Sequence, residues 1–208
     1  MIAIVDYGMG NLHSVSKAIE RLGGDAVVTS DRAELSQASA ILLPGVGAFG
    51  DAMAALRATG LDQVIIELAR SGKPLLGICL GMQLLFEESE EHGAHKGLGL
   101  LPGKVVRFQE GTYKVPHMGW NRCSWKQPNH ELVAGIQEGH VYFVHSYHVL
   151  PSNQDDLVAV CEYANQDVTA IVARDSIYGM QFHPEKSGEL GLMLLQRFIE
   201  VTSAVKKA

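Results

Sequence analysis

The first eighty residues alternate between two hydrophobic periods. Ile2-Ala3-Ile4-Val5 is a short unbroken apolar run, the pattern of a strand buried on both faces. A glycine-punctuated turn follows, Asp6-Tyr7-Gly8-Met9-Gly10, and Asn11 is placed to cap a helix reaching to about Leu22. Leu12, Val15, Ile19 and Leu22 share one stripe of that helix, and Gly23-Gly24 stop it. Ala26–Thr29 and Ala40–Leu43 repeat the strand signature, the second ending in Pro44-Gly45-Val46-Gly47. Helical spacing returns from about Asp51 to Arg70, with a break at Gly60, and Ser71–Pro74 turns the chain into a further buried strand, Leu75–Ile78.

Strands and helices in alternation, joined by short loops, predict a parallel sheet covered on both faces. The second half reads differently. Lys104–Phe108, Val141–His145, Val158–Glu162, Thr169–Ala173 and Tyr178–Phe182 are short β-rich pieces separated by turns. They are expected to extend the same sheet in antiparallel or mixed fashion. A closing helix from about Gly188 to Ser203 sets Leu192, Leu195 and Ile199 at core spacing. No repeat or low-complexity linker interrupts residues 1–208, so the expectation is one α/β domain with a central, mostly parallel mixed sheet flanked by helices.

Charge narrows the function. Lysine plus arginine number 17 against 23 acidic residues, a net charge of −6, whereas a protein that grips phosphate backbones carries a basic surplus. No apolar run approaches the roughly 18 residues that span a bilayer. The opening Met1–Asp6 has no basic flank and meets an aspartate too soon for a secretory signal. Cys79, Cys123 and Cys161 are odd in number and widely spaced, which fits neither a disulfide framework nor a zinc ribbon. The expected location is a reducing cytoplasm.

One of the three thiols stands apart. Gly77-Ile78-Cys79-Leu80-Gly81-Met82-Gln83 follows a buried strand directly and precedes a helical pattern continued by Leu84, Leu85 and Phe86. This is the thiol form of the strand–nucleophile–helix elbow. A sharp turn of that kind needs glycine on both sides, because a side chain there would strike neighbouring backbone. It lifts the sulfur above the sheet at a helix start, where free N–H groups favour thiolate. The Leu80 N–H then points to where an oxyanion forms when the sulfur attacks a carbonyl. A free cysteine is more often a plain core residue. The glycines reverse that expectation for Cys79 only; Cys123 and Cys161 have no such setting.

A sulfur nucleophile needs a base, and the base an orienting group. Of nine histidines, His13 lies in a helix and His92, His95 and His130 in polar loops. His183 ends a strand and is followed by Pro184-Glu185. Proline fixes the turn, so the Glu185 carboxylate can fold back onto one ring nitrogen while the other faces a thiol. No H-E-x-x-H or tight His/Asp cluster offers a metal-hydrolase alternative.

With Gly77–Gln83 and Phe182-His183-Pro184-Glu185 together, the chain resembles the class I (triad) glutamine amidotransferases, whose fold is flavodoxin-like. The resemblance implies that Cys79 attacks the side-chain amide of glutamine, with His183 as base and acid and Glu185 as its brace. It implies that Gly47, in Pro44–Gly47, supplies a second oxyanion N–H beside Leu80. It also implies that Gln83, His145, Ser146 and Tyr147 hold the amino-acid head of the substrate, and that neither cofactor nor metal takes part.

Four segments carry a narrower likeness: Ile4–Leu12, Pro44–Phe49, Pro116–Asn121 and His183–Ser187. They resemble the glutaminase subunits of histidine biosynthesis, which pass ammonia to a (β/α)8-barrel cyclase subunit in a heterodimer. That partner converts the ribulosyl-formimino precursor PRFAR into imidazole glycerol phosphate and an aminoimidazole carboxamide ribotide. The sequence itself has a patch suited to a partner: Tyr113, Val115, Met118, Trp120 and Trp125 among Lys114, His117, Asn121 and Arg122, without clean alternation. On the residues alone, an interface and a hairpin filling its own core are equally good readings. The resemblance favours an interface at Met118, Trp120, Asn121, Tyr142 and Lys186. Gly8-Met9-Gly10 is a weak nucleotide-loop look-alike, since His13 stands where the third glycine belongs. Rival readings are another triad glutaminase, feeding pyridoxal phosphate or guanylate synthesis, and a silent binding module. Pro116–Asn121 speaks against the first and an intact Cys79/His183/Glu185 set against the second.

Overall fold

A computed structural model describes residues 1–109 and 111–204. Its largest element is a nine-stranded sheet with two halves. The first is parallel and holds, in order, β2 (Ala26–Thr29), β1 (Ile2–Val5), β3 (Ala40–Gly45), β4 (Leu75–Cys79) and β13 (Ile177–Met180). The second continues antiparallel through β12 (Gln166–Arg174), β11 (Leu157–Tyr163), β8 (His117–Trp125) and β9 (His140–His145).

The inner parallel strands β1, β3, β4 and β13 are buried at every position because both of their faces are covered, whereas β2 at the edge is partly exposed. Ile2, Ile4, Leu42, Leu76 and Ile78 pack on one side with Val15 and Ile19 of α1 (Leu12–Arg21) and with Leu194, Leu195 and Phe198 of α6 (Gly188–Ala204). Ala3, Val5, Ile41, Leu43 and Leu75 pack on the other with Met53 and Leu56 of α3 (Phe49–Thr59) and Ile65 of α4 (Leu61–Arg70). Each such large aliphatic chain contributes roughly 1.5–3 kcal/mol on burial. Asn11 caps α1, its side chain accepting from the Ser14 N–H at 3.4 Å. Gly60 divides α3 from α4 with a φ of 72°, the left-handed conformation expected of a helix stop. Among the described residues of α6 the buried large apolar side chains are Leu194, Leu195 and Phe198, while the expected Leu192 and Ile199 lie at the margin, a rotation of the stripe by part of a turn.

Three expectations need correction. Lys104–Phe108 does not join the main sheet: β7 (Leu101–Arg107) lies in a separate four-stranded sheet between β10 (Tyr147–Pro151) and β5 (Phe86–Ser89), with β6 (His95–Lys96) at its edge. Period alone does not say which sheet a half-buried strand joins. A short helix, α2 (Arg32–Gln37), was not expected, since six residues are too few to show periodicity. Its signal was Asp31 with Glu34 three positions on; the Asp31 carboxylate accepts from Ala33 and Glu34 N–H groups at 2.8 and 3.0 Å. The helix after Cys79, α5 (Leu80–Leu84), is also shorter than the apolar run suggested. The carbonyls of Leu84 and Leu85 accept from Leu98 and Leu100 at 2.8 and 2.9 Å, so the chain leaves the helix and Phe86 begins β5.

Candidate active site

Cys79 ends β4 with φ 56° and ψ −113°, a conformation that costs a non-glycine residue about 1–3 kcal/mol. Three glycines make the turn sterically possible. A Cβ on Gly77 would stand 2.6 Å from the Gly81 carbonyl oxygen, one on Gly45 would stand 2.8 Å from the Gly81 nitrogen, and one on Gly81 would collide with the Leu43 carbonyl. The crossing of β3, β4 and α5 therefore closes only with bare backbone. Cys79 and Gly45 are register partners, which brings Pro44–Gly47 alongside the elbow. With five residues, α5 supplies the N–H groups of its first turn and little macrodipole.

Tyr7, from the first glycine turn, is buried beneath that crossing and donates its hydroxyl to the Pro44 carbonyl at 2.9 Å. Burial, and secondarily the neighbouring Cys79, push the phenol well above its ordinary pKa, so it remains a donor. Beyond this anchor Val46 and Gly47 are exposed, and Gly47 takes a φ of 95°. The pinned and the free parts of the loop meet at Gly45.

His183 lies three residues past the end of β13, not on the strand, and leads into one 3₁₀ turn, Pro184–Lys186. That turn folds Glu185 back as its proline predicts: His183 Nδ1 stands 2.9 Å from Glu185 Oε1, with side chains 4% and 1% exposed. Burial by itself lowers the imidazole pKa. Hydrogen bonds to Cys79 and Glu185 and the charge on both outweigh it, and the group is raised to about 9. The Cys79 thiol and the Glu185-paired imidazole thus lie together in one buried place.

Cys79 and His183 open onto a cavity of about 420 Å³, a suitable size for a small metabolite. Gly47, Cys79, Leu80, Gln83, His145, Ser146, Tyr147 and His183 all border it, so every residue expected to form the oxyanion hole or hold substrate meets there. Several of them also brace the walls. The Gln83 amide nitrogen donates to the Tyr147 carbonyl at 2.9 Å and to Gln181 Oε1 at 3.1 Å. His145 donates from Nδ1 to the same carbonyl at 2.8 Å and meets His117 Nδ1 through Nε2 at 3.0 Å. Burial draws His145 down to about 3 and His117 to about 4, so both rings are neutral near pH 7.

Glu91 also borders the cavity and was not expected. Its Oε2 accepts from the Phe49 N–H at 2.7 Å, tying it to the first turn of α3 beside the glycine loop. Within the acidic run Glu87-Glu88-Ser89-Glu90-Glu91 it reads as one more solvated charge, and no local signal marks it. A larger cavity of about 780 Å³, bordered by Lys126, Asp155, Leu157 and Asp167, is lined by neither cysteine nor histidine and shares no residue with this site. Among the described residues no group of three or more His, Cys, Asp and Glu side chains is arranged to hold a metal.

The remaining cysteines are core residues. Cys123 and Cys161 face each other across β8 and β11, and burial pushes both thiols up, Cys161 to about 12. The aromatic patch divides. From His117 onward β8 does alternate: Met118 and Trp120 point outward, 61% and 53% exposed, while His117 and Cys123 point in. Tyr142 is the register partner of Trp120, their rings 6.1 Å apart and edge to face, with Lys186 exposed on the nearby turn. Asn121, adjacent to Trp120 on the same strand, belongs to the opposite face and donates to the Glu162 carbonyl at 3.4 Å. Tyr113, Val115 and Trp125 pack against the core, so both readings of this segment hold, each for its own residues.

A strained thiol on a glycine-built elbow, with a buried histidine and carboxylate beside it, defines a class of protein, and the chain belongs to it: the family model Glutamine amidotransferase class-I matches residues 3–201. Within that family, "Imidazole glycerol phosphate synthase subunit HisH" of Geobacillus kaustophilus (strain HTA426) is 55% identical over 208 residues, covering 98% of each chain. The protein of the same name from Desulfitobacterium hafniense (strain DSM 10664 / DCB-2) is 54% identical over 198 residues, covering 95% of this chain and 93% of its own. Among solved structures, a "glutamine amidotransferase" superposes with a TM-score of 0.77 at 18% identity, covering 98% of this chain and all of its own. A "putative gmp synthase subunit a protein" from Thermoplasma acidophilum gives 0.73 at 21% identity, covering 99% and 95%. At those identities the likeness is one of fold.

Proposed function

We propose that the chain is the glutaminase subunit of a cytoplasmic imidazole glycerol phosphate synthase, hydrolysing L-glutamine and passing the ammonia to a (β/α)8-barrel cyclase subunit. The meeting of Cys79 and His183 at one cavity, with Glu185 paired to the far side of the imidazole, supports this most directly. The Cys79 thiolate attacks the carboxamide carbon of glutamine, and the carbonyl oxygen takes up the electron pair. The Leu80 N–H and, from the glycine loop, the Gly47 N–H stabilise that oxyanion; each such donor is worth about 2.7–4 kcal/mol of barrier. His183, held as imidazolium by Glu185, gives its proton to the leaving nitrogen, and ammonia departs as the γ-glutamyl thioester forms. A water then loses a proton to His183 as it attacks the thioester, releasing glutamate and restoring the thiolate. Gln83, Ser146 and Tyr147 border the place where the amino-acid head lies, with the Glu91 carboxylate available to its ammonium group.

The cyclase seats on the face formed by Met118, Trp120, Tyr142 and Lys186, with Asn121 on its inner side. Hydrolysis by the isolated chain is slow and rises when the cyclase is bound and loaded with ligand, because the Val46–Gly47 segment is free to turn its N–H groups. The test compares glutamine turnover by the chain alone and with the cyclase and PRFAR. Equal rates overturn the regulation. Failure of Cys79→Ala to support synthesis from added ammonium overturns the division of labour, since cyclisation itself needs no thiol.

A further inference from the structure

The proposed active site and the proposed partner face are joined at one buried hydroxyl. Ser187 is 1% exposed and ends the turn that carries His183. Its Oγ donates to the His183 carbonyl at 2.6 Å and accepts from the Tyr142 N–H at 2.9 Å. The His183 N–H in turn donates to the Tyr142 carbonyl at 3.1 Å. Both peptide groups of Tyr142 are thus spent on the His183 turn.

The sheet explains why they are available. β9 is the last strand of the nine, so among the described residues one edge of it has no neighbouring strand. Opposite residues of an antiparallel pair alternate between exchanging both hydrogen bonds and exchanging none. Tyr142 directs both of its groups away from β8, so Trp120 and Tyr142 form a non-hydrogen-bonded pair, the arrangement that brings side chains closest. Their rings meet outside while their strand grips the catalytic turn inside. The grip is backed firmly: the Gly191 N–H of α6 donates to the Ser187 carbonyl at 3.1 Å, and a Cβ on Gly191 would stand 2.6 Å from the Ser187 Cβ. A displacement of Tyr142 therefore reaches His183 through two hydrogen-bonded routes with little slack.

We propose that Ser187 is a positioning residue through which a protein seated on the Trp120–Tyr142 face sets the His183 ring against Cys79. The proposal rests on the glutaminase reading above and gives it a mechanical route distinct from the glycine loop. Ser187 does not border the cavity at Cys79; it acts through the backbone of its neighbours.

The experiment measures glutamine hydrolysis by the full chain, with and without the cyclase subunit, for the native protein and for Ser187→Ala. The expected result is a stimulation ratio about tenfold smaller in the variant, with the KM for glutamine within about twofold and cyclase affinity retained. Ser187→Thr, which keeps the hydroxyl, restores the ratio. Should Ser187→Ala fail to fold, Ser187→Cys, similar in shape with a weak donor, lowers the ratio in the same direction. A native ratio in Ser187→Ala or Ser187→Cys, even with both rates reduced, overturns the coupling and leaves Ser187 a mere brace. Absence of any stimulated hydrolysis in the native protein instead removes the functional reading itself.

Discussion

The two halves of the candidate site are held by different means. On the parallel side, Cys79 is fixed by backbone against backbone: Gly45, Gly77 and Gly81 leave no room for a side chain, and the strain at φ 56° has nowhere to relax. His183, where the chain leaves β13 and meets the antiparallel strand β9, is held by polar contacts, one to Glu185, one to the Tyr142 carbonyl and one through Ser187. Steric closure is insensitive to events at a distance, because a packed backbone has one arrangement. A hydrogen-bonded turn at a sheet edge can shift by fractions of an ångström without unfolding. The nucleophile is therefore the invariant partner, and the base and the oxyanion loop are the adjustable ones.

The largest expected effect breaks the fixed half chemically and spares its shape. Cys79→Ala lowers glutamine hydrolysis by about 10⁶-fold, the loss typical of removing a nucleophile, with the melting temperature nearly unchanged. A variant within tenfold of native would dispose of the thiol mechanism.

On the adjustable half, Glu185→Gln keeps the shape and removes the charge, and costs roughly 10²–10⁴-fold in kcat. It also changes the pH profile. The imidazolium pKa is raised to about 9, above the ordinary histidine value, by the hydrogen bonds and charges of Cys79 and Glu185 overcoming burial. Activity that needs this proton is accordingly present below about 9 and falls as pH rises through it. The stabilisation from the same pairing is complete below the unfolded value near 6.5 and is lost over the same rise. In Glu185→Gln the alkaline limb of kcat/KM moves to lower pH; an unmoved limb denies Glu185 its bracing role.

Gly81→Ala attacks the steric closure directly. The added methyl meets the Leu43 carbonyl, and a stability loss of about 4 kcal/mol or more is expected in urea unfolding. A loss under about 1 kcal/mol would show that the elbow yields as easily as the His183 turn. Tyr7→Phe is the mildest change. It leaves the buried Pro44 carbonyl without its donor, costing about 1–3 kcal/mol, and lowers kcat more than it raises KM because the glycine loop loses its anchor. Equal shifts in both would assign Tyr7 to substrate binding.

The same division governs what was legible in the sequence. The elbow could be read because its requirements are local: an apolar run, glycine on either side of Cys79, and a turn all lie within a few residues. His183-Pro184-Glu185 could be read for the same reason, since proline dictates the fold-back that brings the carboxylate to the ring. Glu91 and Tyr7 could not. One is hidden in an acidic run and the other in a glycine turn, and each gains its place only when distant strands assemble. The β8 face was half legible: its aromatics were evident, but which of them pointed outward waited on the register with β9 and β11.

Residue order alone determined the alternation of buried strands and helices, the glycine elbow around Cys79 and the Pro184 turn, because each depends on sterics and periodicity over a few positions. Only the tertiary structure decided that β7 enters a second sheet, that Glu91 borders the cavity, and that Ser187 ties Tyr142 to His183. Those outcomes depend on which far-separated groups find each other's unpaired hydrogen bonds, and a linear pattern of apolar and polar residues carries no record of that choice.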